Sequence, residues 1–237
     1  MTAQRCNSIV IPADPSSYIS PITHSTVAQP GDPMNPLDTS PVIPVVVIDN
    51  PKDAVPLAKA LLDGGVGIIE VTLRSNAALP AIEAIAAEVP EMLVGAGTLV
   101  TPVQIEAAVK AGAGFLVSPG STPALLNALT DTGLPYLPGV STVSEILTVL
   151  EHGITEMKFF PAESSGGTAA LKAFAGPLPQ VRFCPTGGIT PATAPGYLAL
   201  PNVGCVGGSW LTPAAAIEAG EWERIRDLAA ATTALRG

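Results

Sequence analysis

Eight short apolar runs alternate with helix-like segments along this chain, and the alternation limits the possible folds more than any other feature. The apolar runs cover residues 42–48, 68–73, 92–96, 115–117, 136–137, 156–160, 181–184 and 203–206. The helix-like segments, rich in Ala, Leu and Glu, cover residues 53–62, 78–88, 102–111, 123–130, 143–151, 168–175, 191–199 and 213–235. Strands separated by helices run in the same direction, so the pattern predicts an α/β protein with a parallel sheet.

Eight strand–helix units without an evident second domain favour closure of this sheet into a barrel. We therefore predict a single-domain (β/α)8 TIM barrel over residues 41–237. A doubly wound sheet is less favoured, because residues 48–51 lack the G-x-G-x-x-G pattern that would follow its first strand. Hydrophobic residues make up 47% of the chain and charged residues 13%, which suffices for a large core.

Residues 1–40 differ from the rest in being rich in Pro, Ser and Thr and in lacking sustained periodicity. We predict a disordered extension there, and Met34 is an alternative natural start. The early apolar stretch, residues 9–11, is too short for a secretory signal, and no run approaches the roughly 18 residues that span a bilayer. These features predict a cytoplasmic protein that does not enter a membrane.

The net charge of −9 and the absence of any basic run make nucleic acid and anionic membranes poor partners. An anionic substrate would need a few local donors, because the overall field repels it. Cys6, Cys184 and Cys205 have no spacing that suggests a disulfide framework or a zinc site. His24 lies in the extension and His152 at a predicted helix end, where it is best read as a cap. We therefore predict no metal site.

The second apolar run carries polar side chains where such a barrel places its active site, at the carboxyl ends of the strands. Because side chains alternate along a strand, Glu70, Thr72 and Arg74 share one face. A structural ion pair between Glu70 and Arg74 is one interpretation. The other is a proton-transfer carboxylate beside an arginine that binds the carboxylate of a substrate.

The sixth run contains Lys158, a cation between Met157 and Phe159. It is either a lysine that reaches the rim of the barrel or a buried amine nucleophile. Burial disfavours the ammonium form, and a carboxylate on another strand would face it, so we favour the nucleophile. Thr98, after the Gly-Ala-Gly of the third run, either binds substrate or caps the next helix.

Paired glycines follow the last two runs, in Thr186-Gly187-Gly188 and Gly207-Gly208-Ser209. The loops after these two strands are the recurrent phosphate site of the barrel, where exposed backbone amides converge on one anion. A single Gly-Gly pair could be only a turn, whereas two pairs on adjacent strands predict phosphate binding. Glu163 is expected to support the N-terminus of the following helix.

Seven segments together resemble 2-keto-3-deoxy-6-phosphogluconate (KDPG) aldolases, over a region from about Pro41 to the C-terminus. They are GGVGIIEVTLRS, VGAGTL, SPG, PGVSTVSE, EMKFFPAE, VRFCPTGGITP and CVGGSWLTP, in the order of the family. The resemblance implies a homotrimeric class I aldolase that forms pyruvate and glyceraldehyde 3-phosphate without a metal or organic cofactor. Residues 1–33 have no counterpart in this resemblance.

The resemblance also implies roles for individual residues. It matches Lys158 to the Schiff-base lysine and Glu70 to the proton-transfer residue. The positions matched to substrate binding are Arg74 and Thr98 at the pyruvyl carboxylate, Pro119 and Phe160 along the site, and Thr186, Gly187, Gly188, Gly207, Gly208 and Ser209 at the distal hydroxyl and phosphate. Three alternatives remain: an aldolase for unphosphorylated 4-hydroxy-2-oxoglutarate, a sugar-phosphate epimerase or isomerase, and a phosphosugar-binding barrel without activity.

Overall fold

The computed structural model describes residues 35–235, and its elements follow the predicted alternation. The strands are β1 (Val42–Val46), β2 (Ile68–Thr72), β3 (Leu93–Gly97), β4 (Phe115–Val117), β5 (Tyr136–Leu137), β6 (Gly139–Val140), β7 (Glu156–Phe159), β8 (Arg182–Pro185) and β9 (Val206–Gly208). The helices are α1 (Pro36–Thr39), α2 (Ala54–Asp63), α3 (Ala78–Glu88), α4 (Pro102–Lys110), α5 (Pro123–Asp131), α6 (Val143–Glu151), α7 (Gly167–Ala175), α8 (Ala194–Leu198), α9 (Ala214–Glu218) and α10 (Trp222–Thr233). Short 3-10 helices occupy Pro51–Asp53 and Glu163–Ser165.

All the strand ladders in this region are parallel, which confirms the α/β class. One sheet has the order β5-β4-β3-β2-β1-β9, and a second has the order β6-β7-β8. An isolated parallel bridge between Thr186 and Gly207 links the end of β8 to β9, and a second one joins Phe183 of β8 to Val203, ahead of β9. The first strand therefore pairs with both the second and the last.

The fifth predicted strand differs from expectation, because it is divided between the two sheets. Pro138 separates β5 from β6, and proline has no N–H to donate to a ladder. Its carbonyl still accepts a hydrogen bond of 3.0 Å from the Lys158 amide. The expected single eight-stranded sheet is thus two hydrogen-bonded sheets on either side of this residue.

Several helices begin with the residues that the sequence would favour. Thr101 and Thr142 each form a capping box, with Gln104 and Glu145 respectively, at the starts of α4 and α6. The predicted last helix is instead two helices, because Gly220 adopts a positive φ of 66° between α9 and α10. None of the helices within residues 35–235 is long and apolar enough to cross a membrane.

The core lies on both faces of the strands. Successive side chains of a strand point to opposite faces of the sheet, and every residue of β2 is buried. Both faces of the sheet are therefore covered at β2. On β7, the Phe159 ring packs edge-on against Phe174 of α7, with ring centroids 5.9 Å apart. Because neighbouring side chains on a strand point in opposite directions, Lys158 faces away from this helix, towards β2.

Residues 35–40 are a correction to the predicted extension, because they form a short helical turn that contacts the strands. Asn35 caps α1, and Leu37 is completely buried against Gly204. Arg182 donates two hydrogen bonds to Asp38, of 2.5 and 3.1 Å. The apolar anchor and the bidentate pair hold this turn, and neither had a periodic signal in the sequence. The rest of the predicted extension, residues 1–34, lies outside the described residues.

Candidate active site

Lys158 and Glu70 meet in the interior, although 88 positions separate them in the chain. Lys158 Nζ lies 3.1 Å from Glu70 Oε1 and 3.4 Å from Oε2. The two residues are 5% and 3% exposed. A buried carboxylate and a buried amine stabilise each other only when they are paired this closely. The predicted juxtaposition is therefore present, and Glu70 pairs with Lys158 rather than with Arg74.

Gly97 makes room for this pair. It lies at the end of β3, in register with Thr72 of β2. A Cβ atom at position 97 would overlap the Glu70 carboxylate, so glycine is required for the carboxylate to stay where it is. Thr72 donates its hydroxyl to the Val46 carbonyl at 2.9 Å and so occupies the neighbouring position without a free polar group.

Arg74 and Thr98 form the next contact outward. Arg74 Nε donates a hydrogen bond of 3.3 Å to Thr98 Oγ1. Thr98 has a φ of 61°, an unfavourable conformation for a β-branched residue. Thr98 does not cap the following helix, because Thr101 does. The capping role expected for Thr98 is therefore wrong, and substrate binding by Thr98 stays a prediction.

A cavity of about 500 Å³ opens at this end of the sheet. Its lining includes eight of the predicted site residues: Arg74, Phe160, Thr186, Gly187, Gly188, Gly207, Gly208 and Ser209. Lys158 is next to this cavity, because its Nζ lies 5.5 Å from the centroid of the Phe160 ring. A partly buried ring at that distance attracts the ammonium form. The paired glycines therefore line a cavity that lies next to the lysine.

The other four predicted site residues, Glu70, Thr98, Pro119 and Lys158, are not among those that line the cavity. The Pro119 carbonyl group lies directly against Gly139, where a Cβ would overlap it, and Gly139 pairs with Lys158 across β6 and β7. Pro119 is therefore one strand away from the lysine. Sequence reasoning missed the cavity-lining residues Val45, Val46, Val47, Ile189, Thr212, Pro213 and Ala214. The valines were detectable as the carboxyl end of the first apolar run.

The two glycine turns contact each other through Thr186. Its hydroxyl occupies the space that a Cβ at Gly207 would need, and the two residues form an isolated parallel bridge. Gly187 and Gly188 have φ values of 104° and 79°, which only glycine adopts readily. This conformation turns the chain sharply at the edge of the cavity, as an anion-binding loop requires.

Glu163 supports this turn in a way that the sequence did not predict. Its amide donates to the Gly187 carbonyl at 3.1 Å, and its side chain packs on Gly188. Its carboxylate accepts a 2.6 Å hydrogen bond from the Tyr197 hydroxyl, not from a helix N-terminus. Burial, the bond to Glu163 and its charge raise the pKa of Tyr197 well above the usual value near 10.

The structure also describes two of the three cysteines and one of the two histidines considered in the sequence. Cys184 and Cys205 are buried, and neither forms a disulfide. His152 ends α6, with Nδ1 3.0 Å from the Thr148 carbonyl, as expected of a cap. Residues 35–235 contain no group of three His, Cys, Asp or Glu side chains arranged to hold a metal ion. Cys6 and His24 lie outside the described residues.

Comparison with known proteins gives the same picture as the geometry. The family model "KDPG and KHG aldolase" matches residues 34–228. A KHG/KDPG aldolase of Escherichia coli strain K12 is 56% identical over 193 residues, which are 81% of this chain and 91% of that protein. The region matched by the family model spans every residue of the site described above.

Solved structures agree. KDPG aldolase from Legionella pneumophila, with pyruvate captured as a covalent carbinolamine intermediate, superposes with a TM-score of 0.82 at 48% identity, over 83% of this chain and 96% of that one. The enzyme from Zymomonas mobilis ZM4 with 3-phosphoglycerate gives a TM-score of 0.79 at 45% identity, over 84% and 93% of the two chains. The chain belongs to the KDPG and KHG aldolase family.

Proposed function

We propose that this protein is a class I aldolase that cleaves 2-keto-3-deoxy-6-phosphogluconate to pyruvate and glyceraldehyde 3-phosphate. The observation that carries the proposal is the buried contact of 3.1 Å between Lys158 Nζ and Glu70 Oε1. A lysine amine paired with a proton acceptor is the arrangement that Schiff-base chemistry requires. The names and bound pyruvate of the related enzymes support the same reaction.

The first half of the reaction forms the imine. Lys158 transfers a proton to Glu70, and the resulting neutral amine attacks the C2 carbonyl of the substrate to give a carbinolamine. Glu70 transfers a proton to the departing oxygen, water leaves, and the protonated imine remains. The Phe160 ring, 5.5 Å from Nζ, favours the positive charge that develops there.

The second half breaks the carbon–carbon bond. Glu70, directly or through water, accepts the proton of the C4 hydroxyl, the C3–C4 bond breaks, and its electron pair moves into the imine to give an enamine. The aldehyde product departs. Glu70 then returns a proton to C3, and hydrolysis of the imine releases pyruvate and free Lys158. The protonated imine is the electron sink in this scheme.

The two ends of the substrate are anionic, and the site offers separate donors for them. Arg74, aligned by Thr98, is suited to the C1 carboxylate. The turns at Thr186–Gly188 and Gly207–Ser209 are suited to the phosphate. Pro119 and Phe160 would bound the carbon chain between these two ends.

A second substrate, 4-hydroxy-2-oxoglutarate, deserves testing because the Escherichia coli relative is named for both activities. Both substrates share the keto-acid end, so Lys158, Glu70 and Arg74 would act identically on them. The difference lies at the distal end, where only one of them carries a phosphate. Comparison of kcat/KM for the two substrates decides which is preferred.

We also propose a closed eight-stranded barrel and a homotrimer. Barrel closure is supported by the bridge between Thr186 and Gly207 and by the single proline between β5 and β6. The trimer is supported by exposed valines at the starts of α4 and α6, of which Val103 is 73% exposed. Light scattering should give three times the chain mass of 23.9 kDa. A monomer at micromolar concentration would exclude the trimer.

The experiment that tests the activity is reductive trapping. Incubation with pyruvate and borohydride should fix a three-carbon adduct on the peptide that contains Lys158. Lys158→Arg keeps a cation but cannot form an imine, so it should abolish both the adduct and cleavage. Lys172→Arg, on the exposed face of α7, is the matched control and should retain both.

Glu70→Gln is the companion variant, with turnover expected to fall roughly 10²- to 10⁴-fold, as for loss of an acid–base group. Cleavage without any adduct would overturn the class I assignment. An epimerase or isomerase would form no imine, and a binding protein would not turn over the substrate, so the same experiment separates these alternatives.

A further inference from the structure

Thr212 carries a polar group that the site described above does not use. It follows β9 by four residues, and its amide donates a hydrogen bond of 3.2 Å to the Ser209 carbonyl. Thr212 is 5% exposed and lines the same cavity as Gly207, Gly208 and Ser209. No sequence motif singled it out.

The Thr212 hydroxyl is buried and has no hydrogen-bond partner within residues 35–235. The other buried side-chain atom with this property in that region is Oδ1 of Asn202, whose amide nitrogen still donates to the Leu171 carbonyl at 2.8 Å. Thr212 Oγ1, in contrast, is the only polar atom of its side chain. A buried hydroxyl without a partner destabilises a fold, and valine would fill the same space without that cost.

We infer that the Thr212 hydroxyl is a binding group for the phosphate of the substrate. This inference rests on the proposed function, and specifically on a phosphate at the two glycine turns. Ser209 and Thr212 belong to one turn, so an anion bound by the first lies beside the second. A phosphate has enough acceptor oxygens for hydroxyl donors in addition to backbone amides, and a hydrogen bond to a charged acceptor is stronger than one between neutral groups.

The inferred contact requires a change of the Thr212 rotamer. Thr212 Oγ1 is covered by protein atoms, but rotation about χ1 moves the hydroxyl to another of the three staggered positions. A bound anion favours the rotamer that directs the hydroxyl into the cavity. The donor is neutral, so it adds no charge that would have to be buried when the cavity is vacant.

Thr212→Val and Thr212→Ser test this role by kinetics. The valine variant should lose about ten-fold in kcat/KM for the phosphorylated substrate, the equivalent of one charge-assisted hydrogen bond. The loss for the unphosphorylated analogue should be much smaller. The serine variant keeps the hydroxyl and should retain most of the wild-type value. Equal losses for both substrates, or none for either, would overturn the inference.

Thermal stability separates a ligand role from a structural one. The melting temperature of ligand-free Thr212→Val should equal or exceed that of the wild type, whereas a structural hydroxyl would give a decrease. Thr232 is the matched control, because it is also buried but its hydroxyl donates to the Ala229 carbonyl at 2.7 Å. Thr232→Val should not raise the melting temperature and should leave the kinetics unchanged.

Inorganic phosphate provides a test that does not depend on the aldolase reaction. It should raise the melting temperature of the wild type and of Thr212→Ser, and raise that of Thr212→Val distinctly less. An equal shift in all three, or no shift in the wild type, would overturn the role of Thr212. If pyruvate trapping fails while the phosphate result holds, the aldolase proposal is wrong and the anion site stands.

Discussion

Gly97 and the Glu70 carboxylate occupy adjoining space so closely that a methyl group on Gly97 would overlap Glu70 Oε1. We expect Gly97→Ala to displace the carboxylate from Lys158 while leaving the strands paired. Since an acid–base group that moves out of reach loses its contribution, kcat should fall roughly 10²- to 10³-fold. Steady-state kinetics and the rate of borohydride trapping with pyruvate would measure the effect.

Gly120 is the matched control for this change. It lies in the loop after β4, and a Cβ at its position would meet no atom within 4 Å. Gly120→Ala should therefore keep kcat close to that of the wild type. Normal turnover by Gly97→Ala would mean that Glu70 tolerates displacement and is not the proton-transfer group.

Two truncations should differ in melting temperature, because only one of them removes the turn at Pro36–Thr39. A protein beginning at Met34 should retain its melting temperature and activity, because Asn35, Leu37 and Asp38 remain. A protein beginning at residue 41 loses the buried Leu37 side chain, a change that costs about 2–5 kcal/mol when leucine is replaced by alanine. Its melting temperature should fall by several degrees. Equal melting temperatures for the two would show that the turn contributes no stability.

A carboxylate in the second glycine turn should discriminate between substrates. Ser209→Glu places a negative charge where the phosphate is proposed to bind, so repulsion should weaken the binding of the phosphorylated substrate most. We expect a loss in kcat/KM of at least about 100-fold for that substrate and a small loss for the unphosphorylated analogue. Similar losses for both would place the phosphate elsewhere.

The raised pKa of Tyr197 predicts that the stability of the folded protein changes with pH in the alkaline range. Its pKa is raised in the folded protein by burial, by its bond to Glu163 and by the charge of that carboxylate. The contribution of the neutral Tyr197 side chain to stability is therefore complete below its pKa in the unfolded state, near 10. This contribution is lost as the pH rises further. Tyr197→Phe has no such group, so its melting temperature should fall less steeply than that of the wild type above pH 10. Parallel curves would contradict this linkage.

The sequence predicted the parts of this protein that depend on periodicity and on residue type. Each of the first seven apolar runs contains or overlaps a strand, whereas the eighth, residues 203–206, shares only Val206 with β9. The two ionisable residues predicted within strands, Glu70 and Lys158, meet as expected. Strand alternation sets the direction of each side chain, and β7 and β2 lie on facing parts of the sheets. These relationships are local properties of the chain combined with one topology.

The features that the sequence did not predict depend on tertiary contacts. The turn at residues 36–39 is held by Arg182, which is distant in the chain. Glu163 takes Tyr197 as its partner because α8 returns across the loop after β7. The role inferred for Thr212 depends on the absence of a hydrogen-bond partner for its hydroxyl within residues 35–235, which only the structure shows. None of these leaves a periodic trace, and only the assembled fold reveals them.

The pairing of β1 with β9 has a consequence for synthesis of the chain. Val42 is in register with Val206, so one edge of β1 stays unpaired until nearly the whole polypeptide has been synthesised. A nascent chain therefore carries an open, apolar strand edge while the ribosome completes the remainder. Codon changes that slow translation after β4 should lengthen this exposure and increase aggregation of newly made protein, with no effect on the mature enzyme.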